Sequence, residues 1–328
     1  MRFSRDTLQG SGSKFAMHAR FALPLLAVLI AACVRDRPYP ASVVASPVKV
    51  EPSGFAKVVA VGDIADCPQN QHFRTAKLVD EIRPDAVLAL GDLAYLNASK
   101  SDFLDCYDPA WGKFRGITRA TPGNHEFHST SADPYFNYMR GVAGEGPGGY
   151  HSFDVGAWHV VALNSSCDVF DTPSKFMFGG CGKDSPQARW LKEDLAKHPA
   201  KCTAAIWHHP VFNSGPHGEA THMHDLWKIL EDAGADLVLT GHVHEYERFA
   251  PMVLPGVRDD KRGMRQFVVG TGGRGLTGFK GKPRAHSESI QATAHGVLEL
   301  EFHESKYKWK YVPVDGDFRD SGEADCHF

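Results

Sequence analysis

Lys57-Val-Val-Ala-Val-Gly-Asp63 and Ala86-Val-Leu-Ala-Leu-Gly-Asp92 are two short apolar runs, each closed by Gly-Asp, and their reading decides the fold. Uninterrupted apolar runs bounded by turn residues read as strands buried on both faces. Between them Phe73, Ala76, Val79 and Ile82 recur at helical spacing until Pro84 stops the pattern. The unit is therefore β-α-β. It places a carboxylate at the carboxyl end of each strand, the edge where open α/β sheets hold ligands.

The same grammar continues outward. Tyr150 to Asn164 alternates like a hairpin turning near Val155-Gly156. Ser185 can cap a helix that Pro186 opens and Ala188, Leu191 and Leu195 line. Ala204–Trp207 reads as a strand, and Leu226, Ile229, Leu230 and Ala233 as an amphipathic helix closed by Gly234. Leu237–Thr240, Gln266–Val269, Val297–Phe302 and Tyr307–Val312 supply later strands. Successive β-α units followed by a strand-rich half predict an α/β sandwich, two stacked sheets covered by helices.

Composition narrows the class. Of 328 residues 42% are hydrophobic and 23% charged, with a formal net charge of -3, which gives no support for nucleic-acid binding. Lys14 and Arg20 precede an apolar run from Phe21 to Ile30 and then Ala31-Ala32-Cys33, the layout of a secretory signal. The run falls short of the roughly 20 apolar residues a permanent span needs. Ile-Ala-Ala-Cys resembles a bacterial lipobox, so Cys33 is the expected lipidation site; a signal cut elsewhere or a short anchor are the competing readings. Val34 leaves the acidic inner-membrane retention signal absent. The expected location is the bacterial cell envelope, as an outer-membrane lipoprotein facing the periplasm. Six cysteines follow Cys33, and six permit about 15 pairings. The pairing expected is Cys67–Cys106, Cys167–Cys181 and Cys202–Cys326, each pair in or beside loops.

Five segments carry the chemistry: Gly62-Asp63, Gly91-Asp92-Leu-Ala-Tyr95, Gly123-Asn124-His125-Glu126, His208-His209-Pro210 and Gly241-His242-Val-His244. Each alone is weak, because Gly-Asp turns are common and most histidines are structural. Together and in this order they are specific. The sequence here resembles the calcineurin-like metallophosphoesterases, and within them the purple acid phosphatases, over roughly residues 56 to 312. The resemblance implies a four-layer αββα fold with two mixed sheets flanked by helices. It also implies two metal ions. Asp63, Asp92, Tyr95 and His244 would hold one; Asp92, Asn124, His208 and His242 would hold the other, with Asp92 shared.

One position selects the subfamily. Many relatives read Asp-x-His at the first segment, but here Ala65 replaces the histidine, and Tyr95 stands three residues after Asp92. A tyrosine of ordinary pKa about 10 becomes a phenolate at neutral pH only beside a strong Lewis acid, so Fe(III) is the expected ion at the Tyr95 site. Zinc, manganese or Fe(II) suit the second. Neutral Asn124 leaves the centre with about one positive charge, which suits an anionic ester.

The activity implied is hydrolysis of phosphate monoesters by a metal-bridging hydroxide, with a small phosphorylated substrate. Asp92 and His125 are the candidate catalytic residues, His125 as proton donor or, alternatively, as a support for Glu126 or Asp92. Asn124, His125 and His209 are the candidate substrate contacts, with His217, His222 and His224 secondary. Arg274, in Gly270-Thr-Gly-Gly-Arg-Gly275, either touches substrate or closes a turn. A phosphodiesterase or nucleotidase using the same metals is the nearest rival, and a non-catalytic envelope binding protein a more distant one. The organisation expected is a signal peptide over 1–32, a flexible tether over 33–53, the catalytic domain over 54–315 and a tail over 316–328.

Overall fold

Strand β1 (Phe55–Val61) runs parallel to β2 (Ala86–Leu90), from Val58 opposite Ala86 to Val61 opposite Ala89, and β2 runs parallel to β3 (Thr118–Thr121). These coordinates come from a computed structural model that describes residues 37–44, 46–48, 54–128, 131–146, 148–168, 179–279 and 281–327. The signal segment and Cys33 lie outside the described residues. β1 also pairs antiparallel with β13 (Gly296–His303), which leads outward to β14 (Lys306–Pro313) and β15 (Ser321–Asp325). The second sheet has the order β12 (Ser287–Gln291), β8 (Tyr246–Phe249), β11 (Arg265–Val269), β7 (Leu237–Thr240), β6 (Cys202–Ile206), β5 (Trp158–Ala162), β4 (His151–Val155). A small ribbon joins β9 (Met252–Val253) to β10 (Val257–Arg258).

Both main sheets are mixed, and the strand period of two explains how they stack. Ala56, Val58 and Ala60 of β1, with Leu298, Leu300 and Phe302 of β13, meet Val160, Ala204, Ile206 and Leu239 of the second sheet. Val59 and Val61 point the other way, to α1 (Gln71–Ile82) and the aromatic cluster Phe103, Tyr107 and Trp111. Trp111 belongs to the short α2 (Asp108–Trp111), and Tyr138, which stacks on Phe103, ends α3 (Asp133–Tyr138). The outer face of the second sheet packs on α4 (Pro186–Lys197) and α5 (His224–Asp232) through Leu191, Leu226, Trp227 and Leu230. The layers are helix, sheet, sheet, helix, as the sequence predicts. The Ser185 hydroxyl accepts the Ala188 N–H and caps α4.

Three expectations need correction. Phe73 lies 46% exposed, and the buried face of α1 carries His72 and Thr75 instead. Those polar residues are accommodated because the Thr75 hydroxyl donates to the Gly272 carbonyl at 2.6 Å and Trp111 donates to the His72 carbonyl at 2.9 Å. The segment expected as a flexible tether is docked at residues 41–44 and 46–48. Val43 N–H donates to Arg140 O, Ser46 N–H to Gly116 O, and the guanidinium groups of Arg115 and Arg119 hold the Ala41 and Ser46 carbonyls. The predicted C-terminal tail contains β15, paired with β14 from Lys306 opposite Asp325 to Lys310 opposite Ser321. Its Ser-Gly-Glu-Ala-Asp sequence carries no apolar alternation, because backbone bonds and a disulfide hold it. All three expected cysteine pairs are formed, with Cα atoms 5.6, 5.7 and 5.5 Å apart for Cys67–Cys106, Cys167–Cys181 and Cys202–Cys326.

Candidate metal centre

The site is assembled by turns that leave the carboxyl ends of strands in both sheets. Asp63 follows β1, Asp92 follows β2, His208 follows β6 and His242 follows β7. Asp63, Asp92 and His242 all take positive φ, at 59°, 51° and 68°. Non-glycine residues rarely adopt that conformation, and where they do the cost is tolerated mostly at functional sites. The turns must also be narrow. A Cβ on Gly91 would lie 2.6 Å from His208 Nδ1, and one on Gly241 would lie 2.7 Å from Asp63 Oδ2. Glycine lets the two sheets bring their ligands together.

Donor atoms converge. The Tyr95 hydroxyl donates to Asp63 Oδ1 at 2.7 Å and lies 3.1 Å from Asp92 Oδ2 and 3.4 Å from His244 Nε2. His244 Nε2 lies 3.3 Å from Asp63 Oδ1, and His208 Nε2 lies 3.2 Å from Asp92 Oδ2. Ligands on bonds of about 2.0–2.2 Å stand about 2.8–3.6 Å apart, so the spacing suits a metal ion. The imidazoles are oriented for it. His208 Nδ1 faces the Leu90 carbonyl at 2.8 Å and His244 Nδ1 faces the Gly275 carbonyl at 2.9 Å. A carbonyl at Nδ1 fixes the proton there and leaves the Nε2 lone pair for a cation. Buried Asn124 Oδ1 makes no hydrogen bond, and His208 Nε2 has only the Asp92 carboxylate beside it. An orphaned buried acceptor of this kind asks for a partner. The His242 ring stands 5.0 Å from that of His208.

Electrostatics point the same way. Burial, and then the negative charges of Asp63 and Asp92, hold the Tyr95 phenol well above its usual pKa. A phenolate here therefore needs cationic company. Burial would raise Asp92, but His208 and His125 outweigh it and hold the carboxyl well below its usual range. Burial would lower His208, but Asp92 outweighs it and lifts the imidazole to about 9. Asp92 is the hub of the charge network.

His125 donates its backbone N–H to Asp92 Oδ1 at 2.9 Å. Its Nδ1 faces the Leu96 carbonyl at 2.6 Å, and its Nε2 lies 3.8 Å from Asp92 Oδ2 on the solvent side, with 18% of the side chain exposed. His209 departs from expectation. It is 6% exposed, its Nδ1 lies 2.8 Å from the Ser165 hydroxyl, and its ring packs 4.3 Å from His242. Burial, and then the like charges of His242 and His208, hold it well below the usual imidazole pKa. It buttresses His242 as a neutral ring, which corrects its assignment as a substrate contact. Exposed His217 instead stands at the open side, 5.0 Å from the His242 ring. Its place on a Gly-rich loop gave no periodic signal.

Glu126 had no role of its own in the sequence, and Arg274 had two alternatives. Glu126 is fully buried and accepts N–H bonds from Asp92, Leu93 and Gly123 at 2.9, 2.8 and 2.6 Å. Burial and then Asp92 push its carboxyl up to about 7. It fixes the backbone of two ligand turns. Glu126→Ala leaves three buried donors unpaired and is expected to destabilise the metal-free fold by about 3–5 kcal/mol, read from urea unfolding. Arg274 lays its guanidinium over the Tyr95 ring, 4.9 Å from the centroid, and pairs with Asp66 at 2.6 Å. It closes a turn and covers the tyrosine.

Known proteins resemble this chain in sequence and fold. The sequence model described as calcineurin-like phosphoesterase matches residues 56–246, more than half of the chain. Purple acid phosphatase 21 of Arabidopsis thaliana is 28% identical over 295 residues, covering 80% of this chain and 61% of that protein. Acid phosphatase type 7 of Homo sapiens is 28% identical over 251 residues, covering 66% of this chain and 54% of that protein. The chain thus spans between half and two thirds of the length of these relatives. Among solved structures, purple acid phosphatase PPD1 from yellow lupin (Lupinus luteus) seeds superposes with a TM-score of 0.69 at 20% identity, over 88% of this chain and 56% of that one. That likeness supports the fold, two mixed sheets flanked by helices. From the strand-end turns, the domain match and the relatives together, the chain belongs to the calcineurin-like phosphoesterase family.

Proposed function

We propose that this protein hydrolyses phosphate monoesters at a pair of metal ions centred on Asp92. The observation that carries the reading is the convergence of Tyr95 Oη, Asp63 Oδ1, Asp92 Oδ2 and His244 Nε2, with neighbouring donor atoms 2.7–3.4 Å apart. In this reading Asp63, Asp92, Tyr95 and His244 hold Fe(III). Asp92, Asn124, His208 and His242 hold zinc, manganese or Fe(II). When bound, such a pair supplies Lewis acidity that activates water and offsets charge on phosphoryl oxygens.

The protein's own groups do the rest. Glu126 and the glycine turns hold the ligands at fixed spacing, so little reorganisation is needed at reaction. Neutral Asn124 keeps the centre positive enough for an anionic ester, and in this reading its side-chain amide meets a phosphoryl oxygen. In its imidazolium form, with Nδ1–H held by the Leu96 carbonyl, His125 delivers the Nε2 proton to the leaving oxygen, while Asp92 fixes its backbone. His125→Ala is expected to lower turnover of a chromogenic monoester by about 10²–10⁴-fold with both metals retained. Loss of the metals along with activity would assign His125 to ligand support instead.

The proposal extends to location. Residues 1–32 are read as a lipoprotein signal and Cys33 as the lipidated first residue, which tethers the protein to the envelope on its periplasmic side. Three disulfides support an oxidising compartment. Cys33→Ser should move the protein from the membrane fraction to the soluble periplasm; an unchanged distribution would refute the anchor.

A further inference from the structure

Away from the Asp92 cluster, the hairpin of β4 and β5 meets the carboxyl end of α4 through another group of metal-ligating side chains. His159 is 3% exposed and lies between two carboxylates, with Nδ1 3.1 Å from Asp154 Oδ1 and Nε2 2.8 Å from Asp194 Oδ2. The other Asp194 oxygen lies 3.2 Å from His198 Nδ1 and accepts the Ser152 hydroxyl at 2.7 Å. One ligand atom from each of His159, Asp194 and His198 fits within 4.8 Å of the others. We infer that His159, Asp194 and His198 form a second, separate metal site that takes a zinc-like divalent ion and pins α4 to the hairpin.

The donor chemistry is specific. Two imidazoles and one carboxylate, with a water in the remaining position, form a common tetrahedral zinc set. Ligand atoms on such an ion stand about 3.3 Å apart. The observed separations, 2.8 Å from Asp194 Oδ2 to His159 Nε2 and 3.2 Å from Asp194 Oδ1 to His198 Nδ1, bring both imidazoles onto one carboxylate, which can offer either or both oxygens to an ion. The outer contacts are also in place. Asp154 on Nδ1 of His159 fixes the tautomer that leaves Nε2 free for metal, and Ser152 orients the Asp194 carboxylate. His198 Nδ1 also lies 3.0 Å from the Asp194 backbone carbonyl, a contact that metal uptake replaces. The site opens into a cavity of about 560 Å³ whose lining includes Asp154, His159, His198 and Glu304. That opening provides an entry path and room for the fourth ligand.

A bare ion pair, with protonated His159 bridging two aspartates, is the competing account. In that account His198 only stacks on His159, with ring centroids 5.0 Å apart, and meets Asp194 at the helix end without holding an ion, so zinc binding in a His198 variant separates the two. Zinc alone is titrated into the full chain already carrying its catalytic metals, comparing wild type with His198→Ala. His198 is half exposed, so its removal leaves the fold intact. The expected result is one more zinc per chain in wild type, at least tenfold weaker zinc binding in the variant, and equal ester hydrolysis by both. Anomalous scattering at the zinc edge should place the extra ion against His159 and Asp194. Equal zinc counts in the two proteins would overturn the inference, as would an extra ion found elsewhere. Because the readout is a difference between two proteins, it does not depend on what the Asp92 cluster holds.

Discussion

Asp92→Asn is expected to reduce bound metal from two ions per chain to less than half an ion and to lower hydrolysis by at least about a thousandfold. The magnitude follows from losing several kcal/mol of charge stabilisation at the reacting phosphoryl group. The substitution is a clean one. Asparagine tolerates the positive φ of 51° found at this position. The backbone N–H of residue 92 stays bonded to Glu126, so the turn is retained. Asp92 also faces Tyr95, His208 and His125 at once, so its loss should strike both metal sites together. Elemental analysis beside a chromogenic assay checks it. Retention of both ions in a folded variant would remove Asp92 from the shared position.

If Tyr95 binds Fe(III) as proposed, the oxidised, iron-loaded protein should show a visible charge-transfer band that Tyr95→Phe abolishes, with turnover lowered by about 10–100-fold. Its hydroxyl touches both carboxylates, and burial together with those charges opposes ionisation in the absence of a cation. A phenolate at neutral pH is thus a signature of a ferric neighbour. The ring itself packs under Arg274 and beside His125, and phenylalanine preserves that packing. A band that persists in the variant would assign the colour to another ligand.

The site was more legible than its surroundings, for a physical reason. Residues at strand ends announce themselves because an apolar run must stop, turn on glycine and present a polar group. Asp63, Asp92 and His242 all follow that rule, and His208 ends its strand directly after Trp207, without the glycine. Tyr95 was legible through its spacing from Asp92 and through Ala65 standing where related sequences carry a histidine. Glu126 was harder to read. Its role is to satisfy backbone N–H groups of other turns, and no local pattern encodes that. His209 was misplaced because adjacent histidines look alike in sequence, while only the fold separates the one facing Asp92 from the one resting on Ser165. Phe73 was misread because helical spacing assigns apolar residues to the core, whereas Thr75 and His72 took the face by bonding to backbone carbonyls and indole. β15 carried no apolar signal, since an edge strand can be held by its ladder and by Cys202–Cys326 alone.

The most direct test of the dinuclear centre is an anomalous difference map from crystals of the metal-loaded protein, recorded at the iron edge and at the edge of the second metal. Two peaks about 3.5–4 Å apart are predicted. The iron peak should touch Tyr95 and His244, the other should touch His208, His242 and Asn124, and the Asp92 carboxylate should lie between them. A single peak, or iron remote from Tyr95, would contradict the account.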